Sequence, residues 1–284
     1  MKRLFRRRKK SHAKALRALL GDHALPSFPA ATMRTLALLR HDDATTEQIG
    51  QSVMINPGVA VRIMTLVNSA AFGLRTPVSN VVHAVGVLGR DRIEQLIVAT
   101  AVHGQLPQPK TPGFCVDRFW RTAARRAAVS RALAERITPK DQSRAFLAGL
   151  LQDMAIPLLA SANPDGYSDV LLEHHGGTDQ DLDKLEAERF GWTHAAVGSW
   201  LATHWELPEE LIIDVGGHHV GAEDSPEANL AVRLVGCLQE SYEPPALDAL
   251  VDACEQHTDL APDVVIDCVE RGLSAASEIA ALMR

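Results

Sequence analysis

Leu66-Val67-Asn68-Ser69-Ala70-Ala71-Phe72-Gly73 is the stretch that decides the fold class. Upstream of it, the apolar residues from Val59 to Val67 recur at the spacing of one α-helix face. The stretch then ends this helix, because Gly73 readily takes the left-handed conformation of a helix C-terminus. On both sides the sequence continues as helical patterns with short breaks, and residues 30–102 contain no alternating strand pattern of useful length. The sequence therefore predicts an all-α protein.

The composition supports this fold class. Of the 284 residues, 46% are hydrophobic and 23% are charged, which is enough to bury a large core. Aromatic residues make up only 5%, and strands are usually richer in aromatic and β-branched residues, so helices are favoured over a β-sandwich. The four cysteines form no CxxC pair and no secreted disulfide framework. They indicate reduced thiols and a cytoplasmic protein.

Capping residues and prolines place the helix boundaries. Ser27 is predicted to cap a helix that has Pro29 in its first turn. Thr45 or Thr46 is predicted to cap the next helix, and Ser79 a later one. The helices predicted further along the chain are Phe119–Ile137, Arg144–Ala160, Leu182–Phe190, His194–Trp205, one that begins at Leu207-Pro208, and three more before Arg284.

A proline-rich stretch divides the chain. Leu106-Pro107-Gln108-Pro109-Lys110-Thr111-Pro112-Gly113 contains three prolines and a glycine, and such a stretch cannot continue a helix. We therefore predict a two-lobed helical bundle. Its parts are a basic, flexible N-terminal arm at 1–21, a helical lobe at 22–106, a linker at 107–113 and a second helical lobe at 114–284.

Charge is distributed unevenly along the chain. Residues 1–21 contain nine Lys or Arg and no acid, whereas the rest has 20 basic and 35 acidic residues. The acidic body is therefore not expected to bind nucleic acid in general. No adequate apolar run follows the basic residues, so we predict neither a signal peptide nor a transmembrane helix. Residues 2–10, with seven basic residues, have three interpretations: a disordered solubilising tail, a contact with anionic lipid, or a contact with nucleic acid or an acidic partner.

Both predicted lobes contain short motifs in a characteristic order. In the first lobe these are Leu25-Pro26, Phe28-Pro29, Val53–Gly58, Leu66–Gly73, Val78-Ser79, Ala84 and Leu88-Gly89. In the second lobe they are Phe119-Trp120, Phe146–Asp153, Glu186, His194, Val197-Gly198, Trp205–Pro208 and His218-His219. With these motifs, residues 22–240 resemble an HDOD domain (HD-related output domain), a degenerate relative of the HD and HD-GYP phosphohydrolases. The resemblance implies that the second lobe is HD-domain-like.

The resemblance also implies that most of a catalytic metal site is missing. Active HD phosphohydrolases hold metal through a His on one helix, a His-Asp pair on a later helix and a distal Asp. That metal activates water and neutralises phosphate charge. The matching positions here are Thr122, Gln152 with Asp153, and Gly236, so three of the four ligands are replaced. We therefore expect no catalytic residues, no cofactor and no enzyme activity.

Five polar residues remain near the matching motifs: Asp153, Glu186, His194, His218 and His219. By the resemblance, the three histidines match the additional histidines of the binuclear HD-GYP branch. One interpretation is a buried polar network that fixes helix packing or binds an unidentified small ligand. The alternative is a rearranged metal site made by the aspartate and the histidines, since imidazole and carboxylate bind zinc, iron and manganese. No GYP tripeptide follows the histidine pair, which argues against cyclic-di-GMP hydrolysis.

Two further sets of residues are candidates for interactions. Asn68 either binds a ligand or caps a helix end. Arg121, Arg125, Arg126 and Arg131 form one basic face of a predicted helix. That face either receives phosphate or an acidic partner surface, or is simply solvated.

The function implied by the resemblance is non-catalytic signal transduction in a bacterial network, through protein–protein contacts. The implied partners are signalling proteins, such as a kinase, a response regulator or a cyclic-di-nucleotide enzyme. The first alternative is a residual metal-dependent phosphohydrolase acting on a nucleotide or phosphodiester. The second is binding of nucleic acid or a membrane surface through residues 2–10. The expected location is the cytoplasm, with peripheral membrane attachment through the arm as the alternative.

Overall fold

The computed structural model describes residues 15–16, 18–20, 27, 29–39, 41–68, 76–176, 181–219, 227–236, 238 and 244–282. Helices joined by turns and short irregular segments make up these ranges, and no strand occurs in them. The predicted all-α fold is confirmed. The end of the Leu66–Gly73 stretch, including the predicted left-handed Gly73, lies outside the described residues.

The helices of the predicted first lobe follow each other closely. They are α1 (Ala30–Leu39), α2 (Thr46–Met54), α3 (Pro57–Val67), α4 (Val81–Leu88) and α5 (Arg90–Gln105). Of the two predicted caps of α2, Thr45 is the one used. Its hydroxyl accepts from the Gln48 N–H at 3.2 Å, while the Gln48 side chain accepts from the Thr45 N–H at 2.8 Å. This capping box satisfies two backbone donors that the helix leaves without an internal partner.

The predicted cap at Ser79 is wrong by one residue. Asn80 caps α4, because its side-chain Oδ1 accepts from the His83 N–H at 2.8 Å and its own backbone is extended. An N-cap accepts from an N–H two or three residues after it, and Ser79 lies four residues before His83.

The helices of the predicted second lobe include one long helix on which several of the others pack. They are α6 (Val116–Ile137), α7 (Gln142–Leu151), α8 (Ile156–Ala162), α9 (Pro164–His175), α10 (Leu182–Phe190), α11 (His194–His204), α12 (Glu209–Gly216), α13 (Leu230–Gly236), α14 (Pro244–His257) and α15 (Pro262–Leu282). A short 3-10 helix, Pro139–Asp141, joins α6 to α7. The predicted helices at 182–190, 194–205 and after Pro208 are confirmed, as are the three before Arg284.

The prediction of one helix at Arg144–Ala160 is wrong. The chain leaves the helix after Leu151 and re-enters one at Ile156, with tight turns in which Met154 N–H bonds Leu151 O and Ile156 N–H bonds Asp153 O. Pro157 explains the break, because inside a continuous helix its ring would clash with the carbonyl of Asp153. The break gives Asp153 a turn position rather than a place in the middle of a helix.

The helix α9 was not predicted from the sequence. Asn163 caps it by accepting from the Gly166 N–H at 3.3 Å, and Pro164 occupies its first turn. Asn and Pro at these positions are a regular helix start. The helix matters below, because it contributes Tyr167 to the candidate site.

The predicted flexible arm at 1–21 is too long by several residues. Residues 15–16 and 18–20 are helical, and Leu16 and Leu20 are 0% and 2% exposed. Two leucines four residues apart lie on one helix face, so this face packs against the core. Residues 2–10, which hold most of the basic charge, lie outside the described residues.

Two glycines let α6 pack closely against its neighbours. A Cβ at Gly149 of α7 would lie 2.9 Å from the backbone oxygen of Arg126. A Cβ at Gly272 of α15 would lie 2.9 Å from the backbone of Val129. Both distances are too short for a real side chain, so the backbones approach each other only because these positions are glycine. The approach of α7 brings the turn that carries Asp153 close to α6.

The predicted linker is non-helical and is packed against α8. The Thr111 hydroxyl donates to the Ala160 carbonyl at 2.7 Å in a buried contact, and Gly113 has φ of +83°. One apolar cluster contains residues from both sides of the linker, from Leu20 to Ala280. The boundaries proposed for the two lobes stay a prediction.

One stretch, Pro139–Ala162, is long and apolar enough to cross a membrane by length and composition alone. In the fold, 89% of its apolar window is buried. Such burial is typical of a core helix, since the apolar surface is covered by protein.

Candidate functional site

Four of the predicted site residues meet in space. One potential ligand atom from each of Asp153, His194, His218 and His219 lies within 4.8 Å of the other three. Asp153 comes from the turn between α7 and α8, His194 from the start of α11, and the histidine pair from the turn after α12. Folding therefore assembles residues that are up to 66 positions apart in the sequence.

A tight connection orients His194. Gly191 ends α10 in the left-handed conformation, with φ of 74°, and Thr193 caps α11 by accepting from the Ala196 N–H at 3.2 Å. This turn directs both the backbone N–H and the ring of His194 towards Glu186 on α10. Their distances to Glu186 Oε2 are 2.5 Å from the backbone nitrogen and 2.8 Å from Nδ1.

Glu186 is a fully buried carboxylate that serves as an acceptor behind the site. Besides the two N–H groups of His194, it accepts a hydrogen bond from the Tyr167 hydroxyl, and both Glu186 and Tyr167 are 0% exposed. Burial and the neighbouring Glu186 carboxylate raise the pKa of Tyr167 well above its usual value, so the phenol keeps its proton for this bond. Glu186 therefore lies behind His194 and holds its ring.

The partners of the imidazole rings set their tautomers. His194 Nδ1 faces the Glu186 carboxylate and His218 Nδ1 lies 2.7 Å from the Val215 carbonyl, and both of these oxygens can only accept. A neutral ring that donates from Nδ1 has a bare lone pair on Nε2. The two Nε2 atoms are 3.2 Å apart, and His219 Nε2 lies 3.0 Å from that of His194. Lone pairs that converge in this way favour a cation between them, and a ligating His typically ties its other nitrogen to such an acceptor.

Burial also keeps two of the histidines neutral. It lowers the pKa of His218 and of His219 well below 6.5, and the charges of neighbouring histidines and of Arg126 lower it further. A neutral imidazole is the form that binds metal or accepts a hydrogen bond.

This depression of the histidine pKa predicts a loss of stability in mild acid. The folded chain resists protonation of His218 and His219, whereas the unfolded chain binds those protons near pH 6.5. The free energy of unfolding is therefore expected to fall as the pH drops below about 6.5. Urea unfolding in EDTA between pH 8 and pH 5 measures it. His218→Gln should flatten the pH dependence, and His257→Gln, at an exposed position, should leave it unchanged. An equally steep dependence in His218→Gln would contradict the assignment.

Arg126, expected on one basic helix face with Arg121, Arg125 and Arg131, is turned away from solvent. Its side chain is 11% exposed and its Nη1 contacts Asp153 Oδ2, so it points into the site. The rotation of α6 separates the four arginines: Arg121 is exposed, Arg125 is half-buried, and Arg131 is half-buried on another side. Burial, followed by the charge of Arg92, lowers the pKa of Arg131. The four side chains therefore form no single solvated face.

The remaining prediction, Asn68, lies away from the cluster. Both ends of its amide are used, because Nδ2 donates to Val78 O at 3.0 Å and Oδ1 accepts from Val78 N–H at 2.7 Å. This pair of bonds fixes the chain before α4, which agrees with the local structural interpretation rather than with ligand binding.

The three replaced ligand positions offer no substitute donor set. Thr122 is buried on α6, and Gln152 is 0% exposed and absent from the lining of the site cavity. At Gly236, a Cβ would collide with the backbone oxygen of His218, so this backbone leaves no room for any side chain there. These positions therefore do not rebuild the four-ligand metal site of an HD phosphohydrolase.

A single divalent ion does fit the residues that are present. Three imidazole nitrogens and one carboxylate oxygen are a donor set that zinc, iron and manganese accept. His194 Nε2 and His218 Nε2 lie 3.4 Å and 3.5 Å from Asp153 Oδ1. The site opens into a cavity of about 760 Å³, including its solvent-open part, that is also lined by Thr122, Arg126 and Gly236.

Sequence reasoning missed two residues of this site, Tyr167 and the site-facing Arg126. Tyr167 lies on a helix that was not predicted, and the spacing from Tyr167 to Glu186 resembles no motif. A signal was present for Arg126, since it follows the replaced ligand position Thr122 by one helical turn and so lies on the same face.

The described helices bring one aspartate and three histidines together in an all-helical fold. A family model, the HDOD domain, matches residues 25–220. The chain belongs to the HDOD family, as the sequence motifs predicted.

Comparisons with solved structures agree on the fold. The chain is similar to an HDOD domain protein of unknown function from Geobacter sulfurreducens (19% identity, TM-score 0.68), with 95% of this chain and 98% of that chain covered. It is also similar to a candidate phosphohydrolase from Shewanella amazonensis, at 19% identity and a TM-score of 0.72, with 93% of this chain and 98% of that chain covered. A third similar structure is a candidate signal transduction protein from Marinobacter aquaeolei, at 20% identity and a TM-score of 0.73. The similarity covers 97% of this chain and 66% of that chain. At these identities the likeness shows the fold alone.

One relative among curated proteins is an uncharacterized protein of Treponema pallidum. It is 22% identical over 209 residues, which is 69% of this chain. The match spans only 37% of that relative's own length.

Proposed function

We propose that this chain is a non-catalytic signalling module that acts through contacts with other proteins. The observation that carries the proposal is the replacement of three metal-ligand positions of the HD site. Thr122 and Gln152 cannot replace histidine as ligands, and Gly236 has no room for a side chain. Without the full donor set, the metal-dependent chemistry of HD phosphohydrolases has no basis here.

The signalling context is supported by the family and by one similar structure, which is described as a candidate signal transduction protein. Suitable partners are a kinase, a response regulator or a cyclic-di-nucleotide enzyme. A cytoplasmic location follows from such partners and from the reduced cysteines. Attachment of residues 2–10 to anionic lipid or nucleic acid is a further proposal that rests on their charge.

The second candidate function is a residual metal-dependent phosphohydrolase. The specific observation in its favour is the convergence of three imidazole nitrogens and Asp153. Asp153, His194, His218 and His219 would hold one ion, which would activate water and neutralise phosphate charge. The residues of the chain itself would orient the donors: Glu186 holds the His194 ring, and the Val215 carbonyl holds that of His218.

Hydrolysis assays separate the two functions. Purified protein supplied with Mn²⁺ or Fe²⁺ is expected to show no turnover of bis(p-nitrophenyl) phosphate, cyclic nucleotides or cyclic dinucleotides above that of His218→Ala and Asp153→Ala. The reason is that three of the four residues that hold the metal in HD phosphohydrolases are replaced here, at Thr122, Gln152 and Gly236. Turnover by the wild-type chain that both variants lose would reject the non-catalytic proposal in favour of the second candidate.

A further inference from the structure

Asp153 directs its two carboxylate oxygens to different groups. Oδ1 faces the Nε2 atoms of His194 and His218, at 3.4 Å and 3.5 Å. Oδ2 is in contact with Arg126 Nη1. The Asp153 carboxylate therefore contacts both the histidine cluster, which fits a metal ion, and the Arg126 guanidinium.

Arg126 lies where ligands of the HD type have been lost. It is one helical turn after Thr122, and Thr122, Arg126 and Gly236 line the same cavity. Its Nη2 also reaches the Leu238 carbonyl, at 3.5 Å, just beyond Gly236. Two of the three replaced positions thus line the same cavity as Arg126.

The burial of Arg126 makes it a permanent part of the site. A cation that is only 11% exposed needs a partner of opposite charge, and the Asp153 side chain, 6% exposed, provides it. Arginine does not lose its proton at any physiological pH. Unlike a metal, a guanidinium has no coordination position for water, so it neutralises charge without activating a nucleophile.

We propose that Arg126 is a built-in cation that supplies a positive charge beside Asp153, and that it limits the site to one divalent ion, which Asp153 and the three histidines would hold. Because Arg126 also contacts Asp153, it lowers the affinity of the site for that ion. This inference rests on the proposed non-catalytic function of the same site, and it explains how the chain keeps the charge of a metal centre without its chemistry.

Titration of metal-free protein with Mn²⁺, by calorimetry and by the electron paramagnetic resonance signal of free Mn²⁺, tests the inference. The wild-type chain is expected to bind one Mn²⁺, and His218→Ala none. Arg126→Gln removes the competing charge and should lower the dissociation constant by about 10-fold or more. Arg126→Lys keeps the charge and should stay close to wild type, as should Arg121→Gln, a matched control at an exposed position of the same helix.

Three outcomes would overturn the inference: two Mn²⁺ ions in the wild-type chain, an unchanged dissociation constant in Arg126→Gln, or no binding by any of the proteins. Circular dichroism shows whether Arg126→Gln is folded. If it is not folded, two measurements still test the inference: the number of Mn²⁺ ions bound by the wild type and the Mn²⁺ affinity of Arg126→Lys. A second bound ion in the wild type, or a higher affinity in Arg126→Lys, contradicts the inference. Hydrolysis measured on the same wild-type samples reports on the proposed function separately, since turnover with a single bound ion rejects that function alone.

Discussion

Replacing Glu186 with leucine is expected to lower the free energy of unfolding by about 4 kcal/mol. The substitution leaves three buried donors without their acceptor: the Tyr167 hydroxyl and both N–H groups of His194. Each unsatisfied buried donor costs roughly 1–3 kcal/mol. For a chain of this size the midpoint of thermal unfolding should fall by roughly 10 °C. Urea and thermal unfolding, followed by circular dichroism, measure both quantities.

The matched control is Glu188→Leu, on the same helix but at an exposed position. It should change the free energy of unfolding by no more than about 0.5 kcal/mol. If both variants were equally stable, Glu186 would not be the acceptor that holds His194, and the orientation assigned to this ring would be wrong.

Arg144→Met is expected to cost about 3 kcal/mol of folding free energy. Arg144 Nε and Nη2 each bond Asp214 at 2.7 Å, and the Asn229 N–H bonds the same carboxylate at 2.8 Å. Asp214 is 0% exposed, so removing the guanidinium leaves a buried charge with a single neutral donor. Urea unfolding at pH 7 gives the size of the loss.

The pH dependence identifies the cause of this loss. Burial already raises the pKa of Asp214, although the bond to Arg144 opposes the shift. In Arg144→Met the folded-state pKa should rise further above the unfolded value of 3.8, so the folded chain takes up a proton first as the pH falls. The difference in the free energy of unfolding between the wild type and Arg144→Met should therefore become smaller as the pH falls from 7 to 4. Arg136→Met, which removes an exposed contact of 4.0 Å to Asp267, should cost no more than about 0.5 kcal/mol. A deficit that is independent of pH would point to lost packing instead.

The fold class could be predicted because helical periodicity is a local property of the sequence. Thr45 illustrates this, since its capping box involves only residues three positions apart. Ser79 and Asn80 show the limit of the method: both residue types cap helices, and only the backbone conformation decides which of them does. Pro157 carried the signal for the break after Leu151, but the long apolar run around it suggested a continuous helix.

The candidate site could be predicted in part. His194, His218 and Asp153 were identified from the order of their motifs, and Glu186 was placed in the same network. Which atoms meet is a tertiary property, because it depends on where α10, α11 and α12 pack. The position of Arg126 was not predicted for the same reason. A helix as long as α6 is covered by neighbours on several sides, and the sequence does not say which of its arginines remains in water.

The two buried leucines ahead of α1 link the N-terminal segment to both apolar clusters of the fold. Leu16 belongs to the apolar cluster that contains Tyr167, whereas Leu20 belongs to the larger cluster around α6. The basic residues 2–10 lie only a few positions before these leucines in the sequence. Removing residues 1–20 would therefore take one core side chain from each cluster as well as the basic charge.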